Sequence, residues 1–129
     1  MKLAVTGGRT YHDRRAVFIA LNRVHREHTI ELLMQGGALG ADALAKEWAE
    51  ANGVPVVTYH ANWVVGRKGA GHSRNAVMLK YGQPDWLLAF PGGPGTANCV
   101  AEAERLEISV ISVLDAGRWP EPKDLGAGI

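Results

Sequence analysis

Five short apolar runs alternate with four longer amphipathic segments along this chain. The runs Leu3–Thr6, Glu31–Gln35, Val54–Tyr59, Trp86–Phe90 and Ser109–Leu114 are rich in β-branched and large apolar residues, as strands buried on both faces of a parallel sheet are. The segments between them carry helical spacing. Asp13 is placed to cap the first, where Val17, Leu21 and Val24 share a face while Arg14, Arg15, Arg23 and Arg26 point to solvent. The second, ADALAKEWAEANG, opens at Asp42 or the glycine before it and stops at Gly53. A third is expected from about His72 to Lys80 with Gly82 beyond it, and a fourth from about Ala97 to Leu106.

This β-α-β-α-β-α-β-α-β order predicts an α/β fold: a single doubly wound, mostly parallel five-stranded sheet in the order 3-2-1-4-5, with helices on both faces. Right-handed crossovers then put the switch point between the first and fourth strands, at the carboxyl edge where such sheets bind ligands. Three glycine-rich loops fall at that edge: Gly7-Gly8-Arg9, Gly36-Gly37-Ala38-Leu39-Gly40 and Gly92-Gly93-Pro94-Gly95-Thr96. A residue without Cβ admits positive φ and lets backbone N–H groups close on an anion, so a strand that runs through glycines into a helix suits phosphate. The same glycines can serve as tight turns; three loops converging on one edge favour ligand binding.

Length and composition narrow the reading. At 129 residues, 47% hydrophobic and 21% charged, the chain suits one globular domain, expected over residues 1–114, with an aperiodic tail from 115 to 129 in which Trp119 packs. No apolar run approaches the roughly 20 residues of a membrane span, and the amino terminus reads as a strand rather than a signal peptide, so a cytoplasmic protein with no membrane partner is expected. One cysteine, Cys99, leaves no internal disulfide and fits a reducing compartment. A net charge of +1 argues against gripping long nucleic acid. His60 and His72 have no partner at metal-ligand spacing, and no metal or obligatory cofactor is expected.

The segment His60 to Met78, HANWVVGRKGAGHSRNAVM, is the longest connection and gathers Arg67, Lys68, His72 and Arg74 around three glycines. Long glycine-bearing loops over a sheet edge are more often functional than structural. Arginine there, and Arg9 in the first loop, would grip phosphate oxygens in a bidentate fork.

Taken together, GGR, GGALGADALAKEWAEANG, ANWVVGRKGAGHSRNAVM and FPGGPGT closely resemble the YspA-type branch of the SLOG superfamily, Rossmann-like proteins related to the Lonely-guy phosphoribohydrolases and to the Rossmann domain of DNA-processing protein A. The resemblance runs in order from about residue 2 to 114. It implies a nucleotide or nucleotide-derived ligand, such as ADP-ribose or a nucleoside monophosphate, held as by a sensor or carrier. Lonely-guy enzymes pair an arginine, with a methionine four residues on, with a glutamate three residues past the threonine of their glycine loop. Arg74 and Met78 match the first half, whereas Cys99 stands where that glutamate would be. Glu102, about 4.5 Å farther along the helix, is the substitute carboxylate if the chain is a phosphoribohydrolase-type glycosidic hydrolase. The third alternative, single-stranded DNA binding through Arg14, Arg15, Arg23 and Arg67, fits the net charge least.

The expected ligand-binding residues are therefore Gly7, Gly8, Arg9, Gly37, Asp42, Arg74, Asn75, Gly92, Gly93, Gly95 and Thr96, with Arg74 and Glu102 as catalytic candidates. Thr96 either caps the fourth helix or gives its hydroxyl to a phosphate. Asp42 either complements the helix dipole or takes a ribose hydroxyl, the dipole role being favoured over a general base. Trp63 is read as packing ahead of base stacking, Cys99 as a buried thiol at a helix start, and Trp48 and Tyr81 as core or subunit contacts. A homodimer is possible; nothing in the sequence fixes it.

Overall fold

The computed structural model describes residues 1–61 and 70–114. Trp63, Arg67, Lys68 and the tail from 115 to 129 with Trp119 lie outside the described residues. The elements are β1 (Lys2–Thr6), α1 (Arg14–His28), β2 (Leu32–Gln35), α2 (Ala41–Ala51), β3 (Val56–Thr58), α3 (Ala70–Gly82), β4 (Trp86–Ala89), α4 (Pro94–Arg105) and β5 (Ser109–Ser112). All pairings are parallel and the strand order is β3-β2-β1-β4-β5. The doubly wound sheet and its order are as the alternation of runs predicted, with β1 and β4 adjacent at the switch point.

Strand alternation sorts the core into two layers. Leu3, Val5, Leu33, Leu88 and Phe90 pack with Val17, Leu21, Val24, Ala45 and Trp48 of α1 and α2. Ala4, Met34 and Leu87 point the other way, onto Met78, Leu79, Cys99 and Ala103 of α3 and α4. Both faces of β1, β2 and β4 are covered, which is why these central strands read as apolar runs, whereas the edge strands β3 and β5 are half-exposed. Trp48 is fully buried, and its indole N–H donates to Asn22 Oδ1 at 2.8 Å. Tyr81 is 72% exposed and does not belong to the core.

Asp13 caps α1, its Oδ1 accepting from Ala16 N at 3.0 Å, a contact typically worth about 1 kcal/mol. Arg14, Arg15 and Arg26 are exposed; Arg23 is half-buried and pairs with Glu27 at 3.3 Å. Two helix boundaries differ from expectation. Helix α3 includes Gly82, and the left-handed residue after it is Gln83, φ 48°. Gly82 is glycine for space, because a Cβ there would sit 2.7 Å from Met34 Sδ. Helix α4 begins at Pro94, three residues before the expected start. Proline is tolerated at a first helical position because its missing N–H has no intrahelical use there. No helix among the described residues is long and apolar enough to cross a membrane.

Candidate functional site

The loops after β1, β2 and β4 meet at the carboxyl edge of the sheet and surround one cavity of about 1180 Å³. Gly7, Gly8, Arg9, Gly37, Asp42, Arg74, Asn75, Gly92, Gly93, Gly95 and Thr96 all line it. The structure thus gathers every expected ligand-binding residue at one place. Glu102 is not among them: its half-buried carboxylate accepts from Arg105 at 2.6 Å, although it lies near enough to Cys99 for its charge to help raise that thiol. The arginine–glutamate pair expected for hydrolysis is not assembled here. Asp42 is the single carboxylate among the described residues lining the cavity.

Interlocking explains most of the glycines, and it differs from the expected reason. Positive φ occurs in these loops only at Gly37 and Gly40. In the first and fourth loops the requirement is close approach. A Cβ on Gly7 would meet Phe90 Cβ at 3.0 Å, one on Gly8 would meet Pro91 O at 3.0 Å, and one on Gly92 would lie 2.7 Å from Gly8 N and overlap the Thr96 hydroxyl. Gly40 abuts Gly8 and Arg9, whose carbonyl carbon would be 2.7 Å from a Cβ. The loops are also tied by hydrogen bonds, since Gly8 N donates to Pro91 O at 2.9 Å and Ala41 N to Gly8 O at 3.2 Å. The Gly8 N–H expected to meet a phosphate is therefore already engaged.

The loop after β2 is closed by its own side chains. Asp42 Oδ2 accepts from Gly36 N at 3.1 Å and Ala38 N at 3.2 Å, while Gln35 Oε1 accepts from Gly37 N at 3.1 Å. Gln35 in turn donates to the Asp42 carbonyl at 3.1 Å. Burial pushes the Asp42 carboxyl from its ordinary 3.8 up to about 6, against the pull of the two backbone N–H groups and of Arg74. Asp42 is thus a loop brace as well as a dipole partner in the first turn of α2, and it titrates within reach of neutral pH.

Arg74 lies over Gly36 and donates from Nη1 to the Gly36 carbonyl and from Nε to Asn75 Oδ1, the latter at 2.8 Å. Its Nη2 has no partner among the described residues. Asn75 is buried and spends its amide on Gly95 O at 3.3 Å and Asn98 Oδ1 at 3.0 Å. Although it lines the cavity, its polar atoms tie α3 to α4 rather than facing a ligand. Cys99 sits mid-helix, fully buried, and burial pushes its thiol up to about 11, so it stays protonated and weakly reactive at neutral pH.

The start of α4 is different. Gly93 holds the cap position without a side-chain bond, so Thr96, two residues into the helix beyond Pro94, is not the cap. The N–H groups of Gly93, Gly95 and Thr96 and the Thr96 hydroxyl have no partners among the described residues, as first-turn donors lack intrahelical acceptors. Arg9 and Arg74 set two fixed cations against one carboxylate around the cavity. The arrangement favours an anion, which aligned helix dipoles attract to a helix start. Sequence reasoning passed over Thr10, Tyr11, His12 and Leu39 and weighed His60 only as a metal ligand, though all five line the cavity; His72, grouped with the cations of the long loop, lines it too. An apolar Leu39 inside a glycine loop was the one visible signal. No cluster of three or more metal-ligating side chains occurs among the described residues.

Fold and cavity together define a Rossmann-like α/β protein with a glycine-lined cleft at its switch point. The chain belongs to the YspA, cpYpsA-related SLOG family, which matches residues 1–65. It is similar to the Gene 61 protein of Mycobacterium phage D29, 37% identical over 122 residues, covering 88% of this chain and 97% of the phage protein. Among solved structures it is similar to that of TM1055, with a TM-score of 0.69 and 21% identity over 92% of this chain and 77% of that one. It is also similar to UDP-GlcNAc 2-epimerase from Neisseria meningitidis bound to UDP-GlcNAc, with a TM-score of 0.54 and 17% identity over 88% of this chain and 32% of the epimerase. At those identities the two structures bear on the fold alone.

Proposed function

We propose that this protein binds a nucleotide or nucleotide-derived ligand, with a phosphate at the start of α4, and acts as a sensor or carrier of it. The observation that carries the reading is the pair Gly93 and Gly95. Neither has positive φ, and a Cβ on either would meet no described atom within 4 Å. Glycine in a helix costs roughly 0.5–1 kcal/mol relative to alanine, so Gly95 is a cost that the fold itself does not require, and Gly93, at the cap, leaves the same space open. Close approach of a ligand to open N–H donors gives them a use. Family membership and the nucleotide sugar bound by the epimerase of similar fold support the same class of ligand.

Titration calorimetry with AMP and ADP-ribose tests this. Gly93→Ala and Gly95→Ala are expected to lower affinity by at least about tenfold, roughly 1.4 kcal/mol, and Gly95→Ala to do so without lowering the melting temperature. Unchanged affinity in both variants would overturn the reading. The hydrolase alternative is weakened by the position of Glu102, and release of free base from a nucleoside monophosphate is the result that would restore it.

A further inference from the structure

We infer that the end of the cavity over β3, walled by Leu39 and His60, seats the planar base of the ligand. The inference rests on the phosphate lying at α4, as proposed above. The sheet order fixes the layout: the cavity is lined by residues following β4, β1, β2 and β3. Three strand spacings of about 4.8 Å separate its two ends by about 14 Å. A ligand with its phosphate on α4 therefore extends toward β3, passing Asp42 and Arg74 on the way.

The two ends differ in chemistry. At the α4 end, backbone donors are open. At the β3 end, the N–H groups of Gly36, Gly37 and Ala38 already donate to Asp42 and Gln35. Those three N–H groups are spent and cannot serve a phosphate, and beside them the wall presents apolar and aromatic surface. Leu39 is 69% exposed, a large apolar side chain on the cavity wall. The His60 ring also lines the wall, held against the loop because Gly37 has no side chain: a Cβ there would lie 3.0 Å from His60 Nδ1 and 3.2 Å from Cε1, and 2.8 Å from Thr58 Cγ2. An aromatic ring fixed from behind and an aliphatic side chain on the same cavity wall match a flat heterocycle, which stacks on aromatic and apolar groups and supplies its own polar edge.

The test compares ribose 5-phosphate with AMP, GMP, CMP and UMP by calorimetry on the full chain. The best monophosphate is expected to bind wild type about tenfold or more tighter than ribose 5-phosphate. His60→Ala and Leu39→Ser are expected to erase most of that advantage while leaving ribose 5-phosphate affinity unchanged. Both positions are exposed, so folding survives either change, and thermal melting confirms it. If a monophosphate binds no better than ribose 5-phosphate, or binds better but is indifferent to both substitutions, the base subsite is overturned and the phosphate seat stands. If neither class of ligand binds, both readings fall.

Discussion

The loops after β2 and β4 share a glycine-rich composition and open on the same cavity, yet one is filled from within and the other is not. In the first, Asp42 and Gln35 take the N–H groups of Gly36, Gly37 and Ala38, and Gly40 is locked by φ 76° against Gly8 and Arg9. In the second, Gly93 and Gly95 face no described atom within 4 Å. Similar composition thus makes two physical statements. One set of glycines is demanded by the fold, and Gly93 and Gly95 are not.

The largest break of that comparison is Gly40→Ala. An L side chain there meets both unfavourable φ and the backbone of Gly8 and Arg9, neither of which is a flexible tip. A loss of about 4 kcal/mol or more is expected in denaturant unfolding, in the range reserved for strain and overpacking. A loss under about 1 kcal/mol would show that the first two loops can separate, and the contrast with α4 would collapse.

Next in size is the electrostatic cost of closing the β2 loop. Unfolded, Asp42 titrates near 3.8; folded, burial raises it to about 6. Between those values the folded state binds the extra proton, so stability falls as pH rises through the window and levels off above it. Two units correspond to about 3 kcal/mol. Asp42→Asn keeps an oxygen for the two N–H groups and removes the titration. The stability of wild type relative to Asp42→Asn is therefore expected to drop by up to about 3 kcal/mol from pH 4 to pH 7. A flat difference would mean that the loop is closed without burying a charge.

Much of this was legible in the sequence, and the omissions have a common cause. Apolar runs without alternation marked buried parallel strands, and their interruption by helical spacing gave the strand order, because local pattern and handedness suffice for both. The gathering of glycine loops followed from that order. What local pattern cannot carry is contact between distant segments. Gly8 and Gly92 are glycines because of each other, Gly36 because Arg74 of α3 lies over it, and Gly82 because Met34 of β2 lies beside it. Asn75 lines the cavity, and its amide is spent on Gly95 and Asn98, a contact between helices that the sequence does not display. Glu102 does not line the cavity, and its carboxylate is held by Arg105, a contact that its spacing from Thr96 does not reveal.

The smallest effects sharpen the comparison most, because they separate conformation from space. Gly53 has φ 67° but no atom within 4 Å of a built Cβ, so Gly53→Ala is expected to cost about 1–2 kcal/mol from the left-handed conformation alone. Gly95 has neither constraint. Gly95→Ala lies in the first turn of α4 and is expected to raise stability by roughly 0.5–1 kcal/mol, through the lower entropy of the unfolded chain and the better helix former. The three substitutions should thus rank Gly40, Gly53, Gly95, with the sign changing at the last. A destabilising Gly95→Ala would mean that the fold needs that glycine after all. The α4 loop would then be explained like its neighbour, from within the chain.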